Sequence, residues 1–155
     1  MKRILAATDF STRSQRALRR AGLLARQTGA QLTLLHVVDE DQPAHLIELE
    51  RSESEKILTE LGGSVAELRG IPSVNVVVTG DAFDAILHTA KSTSADLIVM
   101  GAHRKQLLRD IFVGTTIERV VRTGPCPVLM VNKEAARPYS RVLAAVDMTT
   151  ISAHA

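Results

Sequence analysis

The feature that most restricts this chain is the alternation of short apolar runs with stretches of helical periodicity. Arg3–Ala7 (RILAA), Gln31–Val38 (QLTLLHVV), Ser73–Thr79 (SVNVVVT), Asp96–Met100 (DLIVM) and Pro127–Asn132 (PVLMVN) have the length of strands. Most of them are apolar at consecutive positions, so both faces need cover. That is the pattern of a parallel sheet packed between helices.

The intervening segments supply the helices. Ser11 or Thr12 can cap one in which Ala17, Ala21, Leu24 and Thr28 share a face, with Gly29 closing it. Ala44–Arg69 is the longest helical pattern. Leu46, Leu49, Ile57, Leu58, Leu61, Val65 and Leu68 recur in it, and Gly62-Gly63 marks a kink or break. Gly80-Asp81 turns into a helix over Ala82–Ser92 with Ile86, Leu87 and Ala90 inward. A last helix runs from about Thr115 to Thr123, with Ile117, Val120 and Val121 on one side. The expected fold is α/β, a mostly parallel sheet with helices on both faces, joined by right-handed crossovers.

With 155 residues, 45% of them apolar, the chain can bury one aliphatic core; it has no Trp. A net charge of +2 gives no footprint for nucleic acid. No run reaches membrane-spanning length, and no signal sequence is visible at Met1-Lys2-Arg3. Cys126 is the single cysteine, which excludes an intrachain disulfide and a cysteine-based zinc site. A cytoplasmic protein is expected.

One feature departs from the single-domain picture. Arg141–Ala155 (RVLAAVDMTTISAHA) echoes Arg3–Ala17 (RILAATDFSTRSQRA), matching at Arg141, Leu143, Ala144, Ala145, Asp147, Thr150, Ser152 and Ala155. A strand and the first turn of a helix are repeated. The expected division is a first unit over 1–133, a linker over 134–140, and the start of a second, truncated repeat over 141–155.

Function is expected within Ala95–Val131. Its apolar run stops at Gly101, passes through Arg104, Lys105 and Arg109, and reaches Gly114-Thr115-Thr116 before the next helix. Ligands of such sheets bind beyond the carboxyl ends of the strands, where helix N-termini offer free N–H groups to an anion. The plain alternative is a turn glycine with a threonine cap. The three basic residues are either a phosphate clamp or a solvated loop face. His103 has no second ligand at a metal spacing, His36 reads as a packed strand residue, and Cys126 as small core filling. Asp81 and Asp84 are explained by a helix N-terminus.

Taken in order, ILAATDFS, LTLLHVV, GDAFDAIL and DLIVMGAHRKQLLRDIFVGTTIERVVRTGPCPVLMV carry a family likeness. The chain resembles the universal stress protein family from Met1 to about Lys133. The resemblance implies a five-stranded parallel sheet in the order 3-2-1-4-5, Rossmann-like and of the adenine nucleotide alpha-hydrolase type. It also implies dimerisation through the fifth strand, here Val128–Val131, or cover of that strand by a second unit in cis.

Nucleotide-binding members carry G-x2-G-x9-G-[S/T] after the fourth strand. Gly101, Gly114 and Thr115 match it, and Arg104 replaces the second glycine. An arginine there either fills the space that a glycine leaves open or sets its guanidinium on a phosphate. By this resemblance the ligand is ATP or AMP, with Mg held through Asp9. Ala7 walls the adenine pocket, the Val38 backbone bonds adenine, and Asp9 lies near the ribose. Gly101, Gly114, Thr115 and Thr116 cradle the phosphates. For Asp9 the competing role is a helix cap. No phosphate-loop, dinucleotide or nucleophile-elbow motif is present. The expected function is therefore a stress module that binds an adenine nucleotide and acts through dimerisation or docking, with at most slow ATP hydrolysis. The alternative is an interaction module of the same fold with Arg104 in the phosphate site.

Overall fold

The computed structural model describes residues 1–102, 116–134 and 137–145. Strands and helices alternate as β1 (Arg3–Thr8), α1 (Thr12–Thr28), β2 (Gln31–Val38), α2 (Ala44–Ser64), β3 (Ser73–Thr79), α3 (Ala82–Ser92), β4 (Leu97–Gly101), α4 (Thr116–Thr123) and β5 (Val128–Val131). The strands form one parallel sheet in the order β3-β2-β1-β4-β5, as expected. Strand order reverses at β1, which pairs with β2 on one side and β4 on the other.

Alternation along the strands divides the core in two. Ile4, Ala6, Leu32, Leu34, Val99 and Val131 face Ala17, Leu18, Ala21 and Ala25 of α1 and Leu58 of α2. Leu5, Leu35, Ile98 and Met100 face Ile86 and Ala90 of α3 and Ile117 and Val120 of α4. Burying a side chain of this size contributes about 1.5–3 kcal/mol.

Ser11 caps α1, its hydroxyl accepting the Ser14 N–H at 3.3 Å, and Gly29 closes the helix at φ +68°. The inward stripe of α1 is rotated from the expected one. Ser14, Ala17, Leu18, Ala21, Gly22 and Ala25 are buried, whereas Leu24 is half-buried and Thr28 exposed. Gly22 sets this rotation. A β-carbon there would stand 2.5 Å from the Glu67 carbonyl oxygen, so the helix rests directly on the backbone that follows α2.

α2 ends at Ser64 rather than Arg69. Gly62-Gly63 lies in its last turn, after which Val65 turns extended and Leu68 folds back into the core. Leu46 and Leu49 in its first turns are exposed; only Ser54 and Leu58 of α2 are buried. β4 begins at Leu97 because Asp96 acts as an anchor. Its carboxylate accepts the N–H groups of Lys2 at 2.5 Å and Arg3 at 2.9 Å, tying the starts of β1 and β4 together.

No helix among the described residues is long and apolar enough to cross a membrane.

Candidate functional site

A cavity of about 410 Å³ opens at the carboxyl ends of β1, β2 and β4, beside the strand-order reversal. Its walls are apolar: Ala7, Leu35, Val37, Ile86, Met100 and Ile117. Its polar side is built from Asp9, Ser11, Arg13, Ser14 and Thr116. The first turns of α1, α3 and α4 all reach it, through Arg13, Ala82 and Thr116.

Strand parity explains the walls. Ala7 is in register with Leu35, and both face the cavity. Thr8, in register with His36, also lines the cavity at its rim, whereas His36 is buried and does not line it. Together they brace the turn that carries Asp9. The Thr8 hydroxyl lies 2.9 Å from that of Ser14 and accepts the Phe10 N–H at 3.0 Å. His36 Nδ1 donates to the Thr8 carbonyl at 2.9 Å, and its ring stacks on Phe10 with centroids 4.1 Å apart. Phe10 is held at φ +60°, a left-handed conformation that a side chain adopts only where its surroundings enforce it.

Asp9 is not the cap of α1; Ser11 is. Asp9 Oδ1 instead accepts the Ser11 N–H at 3.0 Å, closing the turn before the helix. Partial burial raises its pKa. The Ser11 and Ser14 hydroxyls and the N–H groups of Ser11 and of Asp9 itself outweigh that and leave it below the usual carboxylate value. The group is thus a carboxylate on the cavity wall at neutral pH, with Arg13 on the same wall.

Gly101 also lines the cavity. A β-carbon there would come within 2.7 Å of the Arg13 carbonyl and 2.8 Å of the Ser14 nitrogen. The first turn of α1 lies directly on Gly101, and that contact requires a glycine.

Of the other sequence-derived residues, Ala7 and Thr116 line the cavity. Val38 does not line it. Its side chain is fully buried and its carbonyl accepts the Gly80 N–H at 3.0 Å, while Val37 faces the cavity. Arg104, Gly114 and Thr115 lie outside the described residues, as do His103, Lys105, Arg109 and Asp110. His36 is packed as expected. Asp81 caps α3, accepting the N–H groups of Phe83 and Asp84 at 3.0 and 3.1 Å. Cys126 is half-buried against the second core, where burial raises its pKa.

Sequence reasoning missed Thr8, Arg13, Ser14 and Val37. The signal for Val37 was parity with Ala7. The signal for Thr8 and Ser14 was a polar pair interrupting an apolar strand and helix face.

An apolar slot of this volume with one acid and one base at its rim suits a flat heterocycle joined to an anionic group. Among the described residues no group of three or more His, Cys, Asp or Glu is placed to hold a metal ion. Asp9 alone could contribute to a magnesium ion, which commonly takes one or two carboxylates and completes its shell with phosphates and water.

The sequence model of the Universal stress protein family matches residues 1–132. The chain belongs to the universal stress protein family. A relative from Thermus aquaticus, the "Universal stress protein in QAH/OAS sulfhydrylase 3'region", is 36% identical over 135 residues, covering 84% of this chain and 98% of its own. Universal stress protein UspA from Lactobacillus plantarum superposes with a TM-score of 0.73 at 26% identity, covering 84% of this chain and 97% of that one. A universal stress protein from Archaeoglobus fulgidus, at 27% identity and TM-score 0.64, is matched over 86% of this chain but only 44% of its own length. Two further family structures share the fold. One is a complex with cAMP, at 24% identity and TM-score 0.72, covering 84% of this chain and 97% of that one. The other is an Archaeoglobus fulgidus protein in complex with dAMP, at 23% identity and TM-score 0.60, covering 84% and 96%.

Proposed function

We propose that this universal stress protein unit binds an adenine nucleotide, ATP or AMP, in the cavity at the ends of β1, β2 and β4, and acts by docking to partners rather than by catalysis. The observation that carries the reading is the pairing of an apolar slot with a charged rim. Ala7, Val37 and Leu35 offer flat apolar surface to a base. Asp9 is a fixed carboxylate for ribose hydroxyls or a nucleotide-bound magnesium ion. Arg13 and the first turns of α1 and α4 offer positive potential to phosphates. Gly101, Arg104, Gly114 and Thr115 would complete the phosphate side. The cAMP and dAMP of the two family structures are chemically of this class; that likeness is one of fold.

Nucleotide binding beside β4 would favour one arrangement of the neighbouring β5 edge, a population shift through differential affinity. Among the described residues β5 pairs with β4 alone, and it exposes Met130; Val121 of α4 is exposed as well. That edge is the proposed dimer surface, or the surface covered by a second unit in cis. The second-unit reading is supported by the repeat at 141–155. Val142 and Leu143 are 87% and 95% exposed, whereas their counterparts Ile4 and Leu5 are buried at the sheet centre. Apolar side chains of this kind need cover.

The test is mass spectrometry of gently purified protein for retained ATP or AMP, followed by thermal unfolding with added Mg-ATP. A ligand at a hundredfold its Kd stabilises by about 2.7 kcal/mol, a rise of several degrees. Without a retained nucleotide and without a shift, the reading fails and an interaction module of the same fold takes its place.

A further inference from the structure

The chain after β5 does not leave the sheet as a free tether. Asn132, Glu134, Arg137 and Tyr139 each meet an arginine on the outer face of α1. Arg16 Nη1 donates to the Asn132 carbonyl at 3.1 Å. Arg19 pairs with Glu134. Arg20 Nη1 donates to the Arg137 carbonyl at 2.9 Å, and its guanidinium lies 3.9 Å from the centroid of the Tyr139 ring. Arg16, Arg19 and Arg20 stand at i, i+3 and i+4, which places them on one helix face.

The order of these contacts matters. Later residues of the segment meet later residues of α1. β5 ends at the cavity end of the sheet, with Val131 in register with Gly101, and α1 begins there. The segment therefore runs along α1 away from the cavity, toward the edge at which parallel strands begin.

Arg20 is the centre of the arrangement. It is only 7% exposed, an unusual state for an arginine on a surface helix. Its charge is met by a carbonyl and an aromatic face, both from the segment, and its Nε has no hydrogen-bond partner among the described residues. A guanidinium stays in such a place only where the groups around it compensate its lost hydration.

We propose that the arginine face of α1 is a dock for residues 132–134 and 137–139, which makes them a strap belonging to the first unit and fixes where the chain beyond Arg141 departs. The dock is independent of nucleotide binding. It also stands whether the residues after 141 join a second unit in cis or another molecule.

Tyr139 makes the dock directly readable, because the chain has one tyrosine and no tryptophan. All intrinsic tyrosine emission thus comes from the strap. In the full chain the emission anisotropy should be that of a ring tumbling with the domain. Acrylamide quenching should fall well below that of N-acetyltyrosinamide, the ring being 48% exposed. Arg20→Ala should roughly double the quenching constant and lower the anisotropy, since the ring then moves on the fast timescale of a loose segment. Arg20→Lys should lie between, keeping the charge but not the planar donor. Far-UV circular dichroism identifies a variant that has lost its fold. For that case the wild type supplies its own check: Arg20 δ-proton resonances shifted upfield by the Tyr139 ring. Free-tyrosine quenching in the wild type, unshifted Arg20 resonances, or a folded Arg20→Ala with unchanged emission would overturn the dock.

Discussion

Gly101 and Arg13 are in backbone contact: the end of β4 and the first turn of α1 approach until a β-carbon on Gly101 would lie 2.7 Å from the Arg13 carbonyl. No flexible side chain is available there to yield. Gly101→Ala must push α1 away from the sheet, and overpacking of this kind costs about 1–3 kcal/mol. The expected outcome is a lower denaturant midpoint with an unchanged m-value. A variant as stable as the wild type would show that α1 can shift freely, and that the site geometry is softer than described.

The same contact positions Arg13 on the cavity wall. If phosphates lie on that side, Arg13→Ala removes a charge-assisted hydrogen bond worth about 1.5–3 kcal/mol. Affinity for ATP should then fall about tenfold or more, while affinity for adenosine, which has no phosphate, should stay close to wild type. Isothermal titration with both ligands separates the cases. Equal losses for both would mean that the variant disturbs the pocket as a whole. Unchanged ATP binding would place the phosphates elsewhere.

How far the sequence could be read follows from the range of each interaction. The bounds of β2, β3 and α3 are those expected, because periodicity and the Asp81 cap are local signals. The sheet order and the position of Ala7, Asp9 and Thr116 on one cavity follow from the family likeness. What escaped was set by distant partners. Nothing local in the sequence marks Arg20, yet it is buried and bonded to a carbonyl 117 residues further on. At Gly101 the sequence shows a glycine before a basic segment but not the backbone of α1 that rests on it. Leu46 and Leu49 fit a helical stripe but are exposed in the first turns of α2. Periodicity reports which face is apolar, not whether anything lies beneath it.

Stability should fall on the acid side through two carboxylates. Asp96 is lowered by the N–H bonds from Lys2 and Arg3, against a smaller opposing effect of burial. Asp9 is raised by burial but lowered further by its Ser11 and Ser14 bonds. A folded pKa below the unfolded value of about 3.9 means that the contribution is complete above that value. It is lost as pH falls through the folded pKa. Asp96→Asn should therefore lower the denaturant midpoint at pH 7 and flatten its decline below about pH 4. Parallel wild-type and variant curves across that window would remove Asp96 from the acid response.

Cys126 should behave as packing rather than chemistry. Burial and the nearby Asp96 carboxylate both hold its thiol above its ordinary pKa, so little thiolate forms at neutral pH. Its alkylation by iodoacetamide at pH 7.5 should be several-fold slower than that of a free cysteine peptide, recovering to the peptide rate in denaturant. Reaction at the peptide rate in the folded protein would show that the β5 approach opens readily.

The edge at β5 offers the sharpest test of assembly. Met130 is 53% exposed, while the next residue, Val131, is buried; Val121 of α4 is 55% exposed. A short strand that, among the described residues, pairs on one side and displays an apolar side chain is a ready template for a second chain. In a two-fold pairing each copy contributes the same patch, so one substitution acts twice across the interface. Met130→Lys places two like charges near one another and removes two apolar contacts. If dimerisation uses β5, sedimentation should show a wild-type dimer and a variant whose dissociation constant rises by at least tenfold, with the fold retained by circular dichroism. A wild type that sediments as a monomer, or a variant that remains dimeric, would assign the edge to another cover. In that case the Val142 and Leu143 segment supplies the next pair of substitutions.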